Sequence, residues 1–173
     1  MGLVGAARAA AVGVAVVVSA GCDAGAPSGA RSAPAGTAVV RACELVSRAD
    51  AETLLRGTAL REDAPELAGG DGSTGCRYRR RDDGSGVVEV VVRPESGTDG
   101  SREKAVMTLR DQTYRGVRTR EVEGLGDTAL WADLGDAQQL HVFAGDALLV
   151  LTVTGAVERD AVVTLAETIV ARL

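Results

Sequence analysis

The sequence predicts an α+β fold in which an antiparallel sheet carries its helices on one face. Paired strand-like segments meet at turn residues, Asp82-Asp83-Gly84 in one pair and Gly145-Asp146 in another, and this is the pattern of β-hairpins. Apolar residues at helical spacing precede, separate and follow these pairs. Hairpins alternating with helices favour a layered α+β architecture. The order of elements is compatible with a loose strand-strand-helix duplication.

The first helix of the folded part is predicted to begin after Ser47. Ser47 and Asp50 have the spacing of a capping box, in which two side chains satisfy backbone N–H groups reciprocally. The apolar face consists of Ala51, Leu54 and Leu55. Gly57 is predicted to end the helix, because glycine readily adopts the left-handed conformation found there. Residues 58–74 are polar and rich in glycine, and a surface loop is predicted for them.

Two strands are predicted next, at residues 75–81 and 87–93, on either side of the turn at Asp82-Asp83-Gly84. One face of the second strand carries Val88, Val90 and Val92. The opposite face mixes apolar and charged side chains, namely Val87, Glu89, Val91 and Arg93. Such a mixture is typical of a sheet that is covered on one face and half-covered on the other.

A second helix is predicted to follow a cap at Ser101. Its apolar positions are Ala105, Val106, Leu109 and Tyr114. A strand with alternating polarity, residues 117–122, then leads through Gly124-Leu125-Gly126-Asp127 into another strand at 128–132. Because glycine tolerates positive φ, Gly124, Gly126 and Asp127 are predicted to form a structural turn, with at least one of the glycines at φ > 0.

The chain ends with its clearest hairpin and its clearest helix. Residues 138–144 and 147–154 form the hairpin, which turns at Gly145-Asp146. The helix after it has one apolar stripe, made by Val162, Leu165, Ala166, Ile169 and Leu173. Their spacing predicts that this helix faces a core along its whole length.

The first 21 residues have the parts of an export signal. Arg8 supplies positive charge, an apolar run extends over residues 9–20, and small residues lead into Cys22. The run is shorter than the roughly 20 apolar residues that a spanning helix needs, so a cleavable signal is predicted. Ser19-Ala20-Gly21-Cys22 resembles the lipobox of bacterial lipoproteins, in which lipid is attached to the cysteine. The expected location is the outer face of the plasma membrane, with lipid on Cys22 as the anchor.

Composition divides the rest of the chain into a tether and one domain. Residues 22–41 are rich in Ala, Gly, Pro and Ser, which predicts a flexible tether behind the lipidated cysteine. Residues 42–173 are predicted to form a single extracytoplasmic domain. Without the signal, 18 basic residues stand against 24 acidic ones, a net charge of −6. This balance argues against a nucleic-acid partner, which binds a basic surface.

The cysteines predict one disulfide bond. With Cys22 assigned to lipid, Cys43 and Cys76 remain as a pair in an oxidising compartment, where such bonds persist. A metal site is disfavoured, because two thiols and the distant His141 lack the ligand spacing of zinc sites. No cofactor is expected.

Catalytic chemistry has little support in the sequence. The single histidine, His141, alternates with Leu140 and Val142 in a strand, and we interpret it as a solvated or hydrogen-bonded surface residue. No Gly-x-Ser-x-Gly elbow is present. Glu121 and Glu123 would share one strand face and leave a hydrolase open as a third hypothesis.

The densest positive charge lies at Arg77, Arg79, Arg80 and Arg81. Solvated charges at a strand end are the simpler interpretation of this cluster. An anionic lipid headgroup or an envelope polymer is the alternative ligand for it.

Several short motifs resemble the DUF 3558-type family of actinobacterial lipoproteins. They are Cys43-Glu44-Leu45-Val46, Ala51-Glu52-Thr53-Leu54-Leu55-Arg56-Gly57, Gly75-Cys76-Arg77-Tyr78 and Gly124-Leu125-Gly126-Asp127-Thr128-Ala129. The likeness covers the domain after the tether, and the family's cysteine pair has the same place. Its biochemical role is undefined, so the resemblance implies no catalytic residue. A related similarity, to the extracellular sensor modules of mycobacterial-type receptor kinases, would imply ligand sensing.

The sequence therefore predicts a non-enzymatic, lipid-anchored module that binds a cell-envelope protein or ligand. The alternative is a carrier or sensor of an apolar small molecule or lipid, held in a pocket between sheet and helices. A filled core with an exposed patch would favour a protein partner, and a continuous apolar cavity would favour the carrier. A cleft that joins His141 to carboxylates would favour the hydrolase.

Overall fold

Seven antiparallel strands form one sheet in the computed structural model, which describes residues 40–62, 71–95 and 99–173. The strands are β1 (Ala59–Glu62), β2 (Thr74–Arg80), β3 (Val87–Pro94), β4 (Arg118–Glu121), β5 (Thr128–Asp133), β6 (Ala137–Ala144) and β7 (Ala147–Thr154). Their order in the sheet is β1-β2-β3-β7-β6-β5-β4. Two meanders are thus joined side by side through β3 and β7.

The helices lie on both faces of this sheet. They are α1 (Ala42–Leu45), α2 (Arg48–Leu55), α3 (Asp99–Thr108) and α4 (Arg159–Val170), and a π-helical turn, Leu109–Thr113, continues α3. Buried residues of α1, α2 and α4 share one core with the sheet. We call this side the three-helix face. The opposite side packs against α3 and the π-helical turn, and we call it the α3 face.

The three-helix face holds the larger core. The strands contribute alternate residues to it, among them Val88, Val90, Val92, Leu140, Val142, Leu149, Leu151 and Val153. The last helix contributes Val162, Leu165, Ala166 and Ile169, all buried as predicted. Leu173, predicted in the same stripe, is 38% exposed, because α4 ends at Val170 and Leu173 lies beyond the end of the helix.

The predicted fold class is confirmed, since the chain combines an antiparallel sheet with four helices in the described residues. Three helices share one face as predicted, and α3 adds a layer on the other. Strands β5 to β7 explain this layer, because they are apolar on both faces: Leu130, Phe143 and Leu148 are buried on the α3 face. Each meander is followed by a helix, as in the predicted duplication, but the two helices pack on opposite faces.

The capping box at the start of α2 is confirmed. Asp50 N–H donates to Ser47 Oγ at 3.1 Å, and Ser47 N–H donates to Asp50 Oδ2 at 2.9 Å. The left-handed residue at the end of the helix is Arg56 (φ 51°), one position before the predicted Gly57.

Two predicted boundaries were wrong. The predicted loop at residues 58–74 contains β1, in which Ala59 is buried and pairs with Arg80. This edge strand has only four residues and no apolar alternation, so its sequence has no strand signal. The second helix begins at Asp99, and Ser101 therefore lies inside it instead of capping it.

The predicted signal peptide, the lipidated Cys22 and nearly all of the tether lie outside the described residues, which begin at residue 40. Within the part of the chain that the structure describes, no helix has both the length and the apolar character needed to cross a membrane.

Candidate functional site

A cavity of about 490 Å³ lies between α3 and the sheet. Its apolar walls are formed by Val91, Ala105, Leu109, Phe143, Leu148 and Val150. The polar and charged residues around it are Arg93, Glu95, Ser101, Lys104, Thr108 and His141. We call it the His141 cavity. Its volume falls within the range of about 300–1,000 Å³ that is usual for small-molecule sites, and such sites are mostly apolar with a few polar groups.

Sheet register builds the floor of the His141 cavity. Val91 of β3 lies opposite Val150 of β7, and Val150 lies opposite His141 of β6. The next row toward the Gly145 turn joins Leu148 to Phe143. Side chains two residues apart in a strand share a face, so both rows face α3.

The roof is a helical stripe. Its residues are Ser101, Lys104, Ala105, Thr108 and Leu109. Residues three and four apart lie on one side of a helix. In this set Ala105 and Leu109 are partly buried beside the sheet, and Ser101, Lys104 and Thr108 are exposed at the rim. In the π-helical turn, the Tyr114 N–H donates to the Leu109 carbonyl at 2.8 Å. This wider turn brings Tyr114 back over the sheet beside His141.

His141 is the polar residue at the centre of the site. It is 7% exposed, and its Nε2 lies 2.6 Å from the hydroxyl oxygen of Tyr114. That hydroxyl donates to Gln139 Oε1, and Gln139 Nε2 donates to Thr152 Oγ1 at 2.8 Å. We call these four residues the His141 relay. The other imidazole nitrogen, Nδ1, is buried without a hydrogen-bond partner.

The relay is uncharged at neutral pH. Burial, together with the positive charge of Arg93, lowers the pKa of His141 from its usual 6.5 to about 4. Burial raises the pKa of Tyr114 above its usual value. Desolvation disfavours the charged form of each group. A ligand in the cavity would therefore meet a neutral imidazole.

We expect His141 to make the domain less stable as the pH falls from 6.5 to 4. In this interval His141 is protonated in the unfolded state, where its pKa is 6.5, but stays neutral in the folded state. Stability is then lost on acidification, by about 3 kcal/mol in total. Urea unfolding at pH 7, 5.5 and 4.5 measures it, with His141→Gln as the reference.

Other groups also change protonation in acid. The quantity to compare is therefore the difference in unfolding free energy between wild type and His141→Gln at each pH. The hydrogen bond from Arg80 holds the pKa of Asp83 well below its usual value. The contribution of that carboxylate to folding stability is therefore lost only below about pH 4. Parallel stability curves for wild type and His141→Gln between pH 4 and 6.5 would contradict the expectation.

The sequence-based interpretation of His141 as a surface residue was wrong. Strand β6 is covered on both faces. Leu140 and Val142 face the three-helix core, whereas His141 and Phe143 face the α3 side. Its neighbour Phe143 was the available signal. A large aromatic residue on the same strand face as a histidine indicates that this face is buried.

The predicted arginine cluster is divided between two sides of the sheet. Arg77 and Arg79 both pair with Glu62, and the Arg77–Glu62 distance is 3.3 Å. Arg80 pairs with Asp83 instead, at 2.8 Å, and donates to the Leu55 carbonyl. Arg81 is exposed in the turn that follows. These carboxylates offset much of the positive charge, and binding of an anion by the four arginines stays a prediction.

Neither glutamate of the hydrolase hypothesis lines the His141 cavity. Glu121 ends β4 and pairs with Arg110 at 3.2 Å, whereas Glu123 lies in the following turn. The carboxylate that borders the His141 cavity is Glu95, which pairs with Arg93 at 3.7 Å.

The predicted turn at Gly124, Gly126 and Asp127 is confirmed. Gly124 has φ +75° and Gly126 has φ +62°. Asp127 connects this turn to the β6–β7 turn, because its Oδ2 accepts from the Gly145 N–H at 3.0 Å and from Arg102 at 2.8 Å. The motif therefore holds two turns together.

The predicted disulfide is present. It joins Cys43 of α1 to Cys76 of β2, with the two Cα atoms 4.9 Å apart. Cys76 is buried in the three-helix core, and Cys43 packs at the edge of that core. The bond ties the first helix to the sheet.

A second cavity, of about 570 Å³, lies at the end of the domain near the Gly145 turn. Val40, Pro94, Val170 and Leu173 contribute to its walls. Among its lining residues only Val92 is buried. No buried polar group lines it, whereas His141, Phe143 and Leu148 are buried residues that line the His141 cavity. The His141 cavity is therefore the better candidate site.

No protein-family model matches the chain, and no curated protein matches it. Among solved structures, the chain is similar to the extracellular domain of PknH from Mycobacterium tuberculosis, with 13% sequence identity and a TM-score of 0.46. The match covers 75% of this chain and 92% of that one.

Proposed function

We propose that this chain is a lipid-anchored extracytoplasmic module that binds a small, largely apolar ligand in the His141 cavity. The observation that carries the proposal is the cavity itself, with its apolar walls and a buried, neutral imidazole beside them. Of the occupants that the sequence left open, this arrangement favours a small molecule over an envelope protein. A protein partner would instead require an exposed patch.

The location is supported by the sequence and by the disulfide. An export signal precedes the lipobox-like Cys22, and bonds such as Cys43–Cys76 persist in oxidising compartments. Membership in the DUF 3558-type lipoprotein family is part of the same proposal. Its support is the set of motifs around Cys43, Cys76 and Gly126.

We propose binding without catalysis. Nucleophilic catalysis requires a base in contact with a nucleophile, whereas the Nε2 atom of His141 is held by the Tyr114 hydroxyl. The low pKa of His141, about 4, makes it a weak proton acceptor at neutral pH. Glu95, the carboxylate at the cavity, is paired with Arg93.

Filling the cavity from the α3 side should weaken ligand binding. Ala105→Phe places a ring between α3 and the sheet, in space that the ligand would occupy. We expect the affinity for the fluorescent probe 2-methoxynaphthalene to fall at least tenfold, a loss of about 1.4 kcal/mol. Fluorescence titration of the mature chain, residues 22–173, made without lipid under oxidising conditions, measures it.

Met107→Phe is the matched control, because Met107 lies on the same helix, is 47% exposed and does not line the cavity. It should bind the probe as wild type does. Lack of saturable binding by the wild-type chain, or equal binding by Ala105→Phe, would refute the proposed site.

Replacing the lipidated cysteine tests the anchor. Cys22→Ala should release the protein from membranes or leave it with an uncleaved signal, because attachment depends on the thiol. Cell fractionation, with immunoblotting for size and location, measures the outcome. A cleaved Cys22→Ala protein that still sediments with membranes would contradict lipid anchoring.

A further inference from the structure

The His141 relay determines which imidazole nitrogen carries the proton. Gln139 is oriented with its amide nitrogen toward Thr152 Oγ1 and its carbonyl oxygen toward Tyr114. A carbonyl oxygen only accepts, so the single hydroxyl proton of Tyr114 is donated to Gln139. The Tyr114 oxygen must then accept at its contact with His141 Nε2, which lies 2.6 Å away.

It follows that Nε2 is the protonated nitrogen of a neutral imidazole. In neutral histidine, one ring nitrogen donates and the other accepts. Nδ1 of His141 is thus an unprotonated hydrogen-bond acceptor, and it is buried without a partner. Burying an acceptor without a hydrogen bond is unfavourable. A donor that reaches this atom removes the cost.

We propose that the His141 cavity selects ligands that bear an uncharged hydrogen-bond donor, a hydroxyl or an N–H group, on an apolar body. The inference rests on the proposed function, since it assigns the ligand chemistry of the same site. The donor is directed to Nδ1 of His141, and the apolar body lies along Val91, Val150 and Leu148.

Charged groups are excluded from this position for two reasons. A carboxylate or phosphate would bring negative charge to a lone pair and offer no proton. An ammonium group would be buried among apolar walls without a counter-charge, which is unfavourable. A charged part of a ligand would instead stay at the rim, where Arg93, Glu95 and Lys104 are found.

Contact with Nδ1 requires a side-chain movement, because this atom has almost no accessible surface in the structure. Side-chain rotamer changes are common at binding sites, even where the backbone moves little. Leu109 and Val150, which also line the cavity, are only partly buried.

A matched pair of probes tests the inference. 2-Naphthol and 2-methoxynaphthalene share a ring system and an oxygen atom, but only the naphthol donates a hydrogen bond. We expect wild type to bind 2-naphthol about 5–10-fold more tightly, as one net hydrogen bond predicts. His141→Leu should bind the two probes equally, since it keeps an apolar wall and removes the acceptor.

The outcomes separate the two proposals. If neither probe binds wild type, the proposed function fails. If both bind wild type with equal affinity, the cavity is a binding site but the donor preference is wrong. The wild-type tautomer can be read independently from ¹⁵N chemical shifts of the His141 ring, without any variant. A proton on Nδ1 instead of Nε2 would also overturn the inference.

Discussion

Gly126→Ala is expected to destabilise the domain by about 2–5 kcal/mol, of which the left-handed backbone contributes about 1–2 and overpacking about 1–3. Gly126 has φ +62°, and a Cβ atom there would lie 2.5 Å from the Phe143 carbonyl oxygen and 2.7 Å from Val142 Cγ1. The same carbonyl accepts the Asp127 N–H at 2.7 Å. The methyl group would push the turn away from β6 and weaken that hydrogen bond. Urea unfolding measures the loss.

Gly124→Ala is the matched control for this prediction. Gly124 has a similar φ of +75°, but a Cβ atom there meets no other atom within 4 Å. Its cost should therefore be the backbone contribution alone, about 1–2 kcal/mol. Equal losses for the two variants would show that the close approach to Phe143 and Val142 is not the cause.

Removing the disulfide should cost about 3–4 kcal/mol in the chain-entropy model, because the bond closes a loop of roughly 34 residues in the unfolded chain. Cys43 and Cys76 are separated by 33 positions. We suggest the double variant Cys43→Ala/Cys76→Ala, since alanine leaves no unpaired thiol and no polar group beside the core. Urea unfolding of the variant and of wild type measures the difference.

Thiol titration of the native, non-reduced wild type provides the control for this prediction. We expect no reactive thiol from Cys43 or Cys76. Two titratable thiols, or a double variant as stable as wild type, would contradict the structural role of the bond.

Much of the fold could be predicted because its signals are local. The capping box at Ser47 and Asp50 depends on a few consecutive residues, as does the turn at Gly124 and Gly126. The buried face of β3, with Val88, Val90 and Val92, follows from the two-residue period of a strand. Each of these predictions was confirmed. Strand β1 was missed because four residues at a sheet edge have no such period.

The candidate site was much less accessible to prediction. Its cavity needs α3 to pack on the face of β5 that also carries Phe143 and Leu148, and no residue of α3 indicates which face it will cover. Leu130, Phe143 and Leu148 of the strands decide this, because their burial requires a cover on that face. The sequence-based interpretation of His141 failed for the same reason.

The amino-acid sequence by itself determined the hairpins, most of the helices, the glycine turn and the pairing of Cys43 with Cys76. Each depends on backbone preferences, on short-range periodicity or on the number of cysteines. Only the tertiary structure decided that His141 is buried, neutral and held by Tyr114. Its relay joins β6, β7 and the end of the α3 segment, and the pKa of His141 depends on burial and on the charge of Arg93 in β3. Such an environment exists only after residues distant in sequence have packed together.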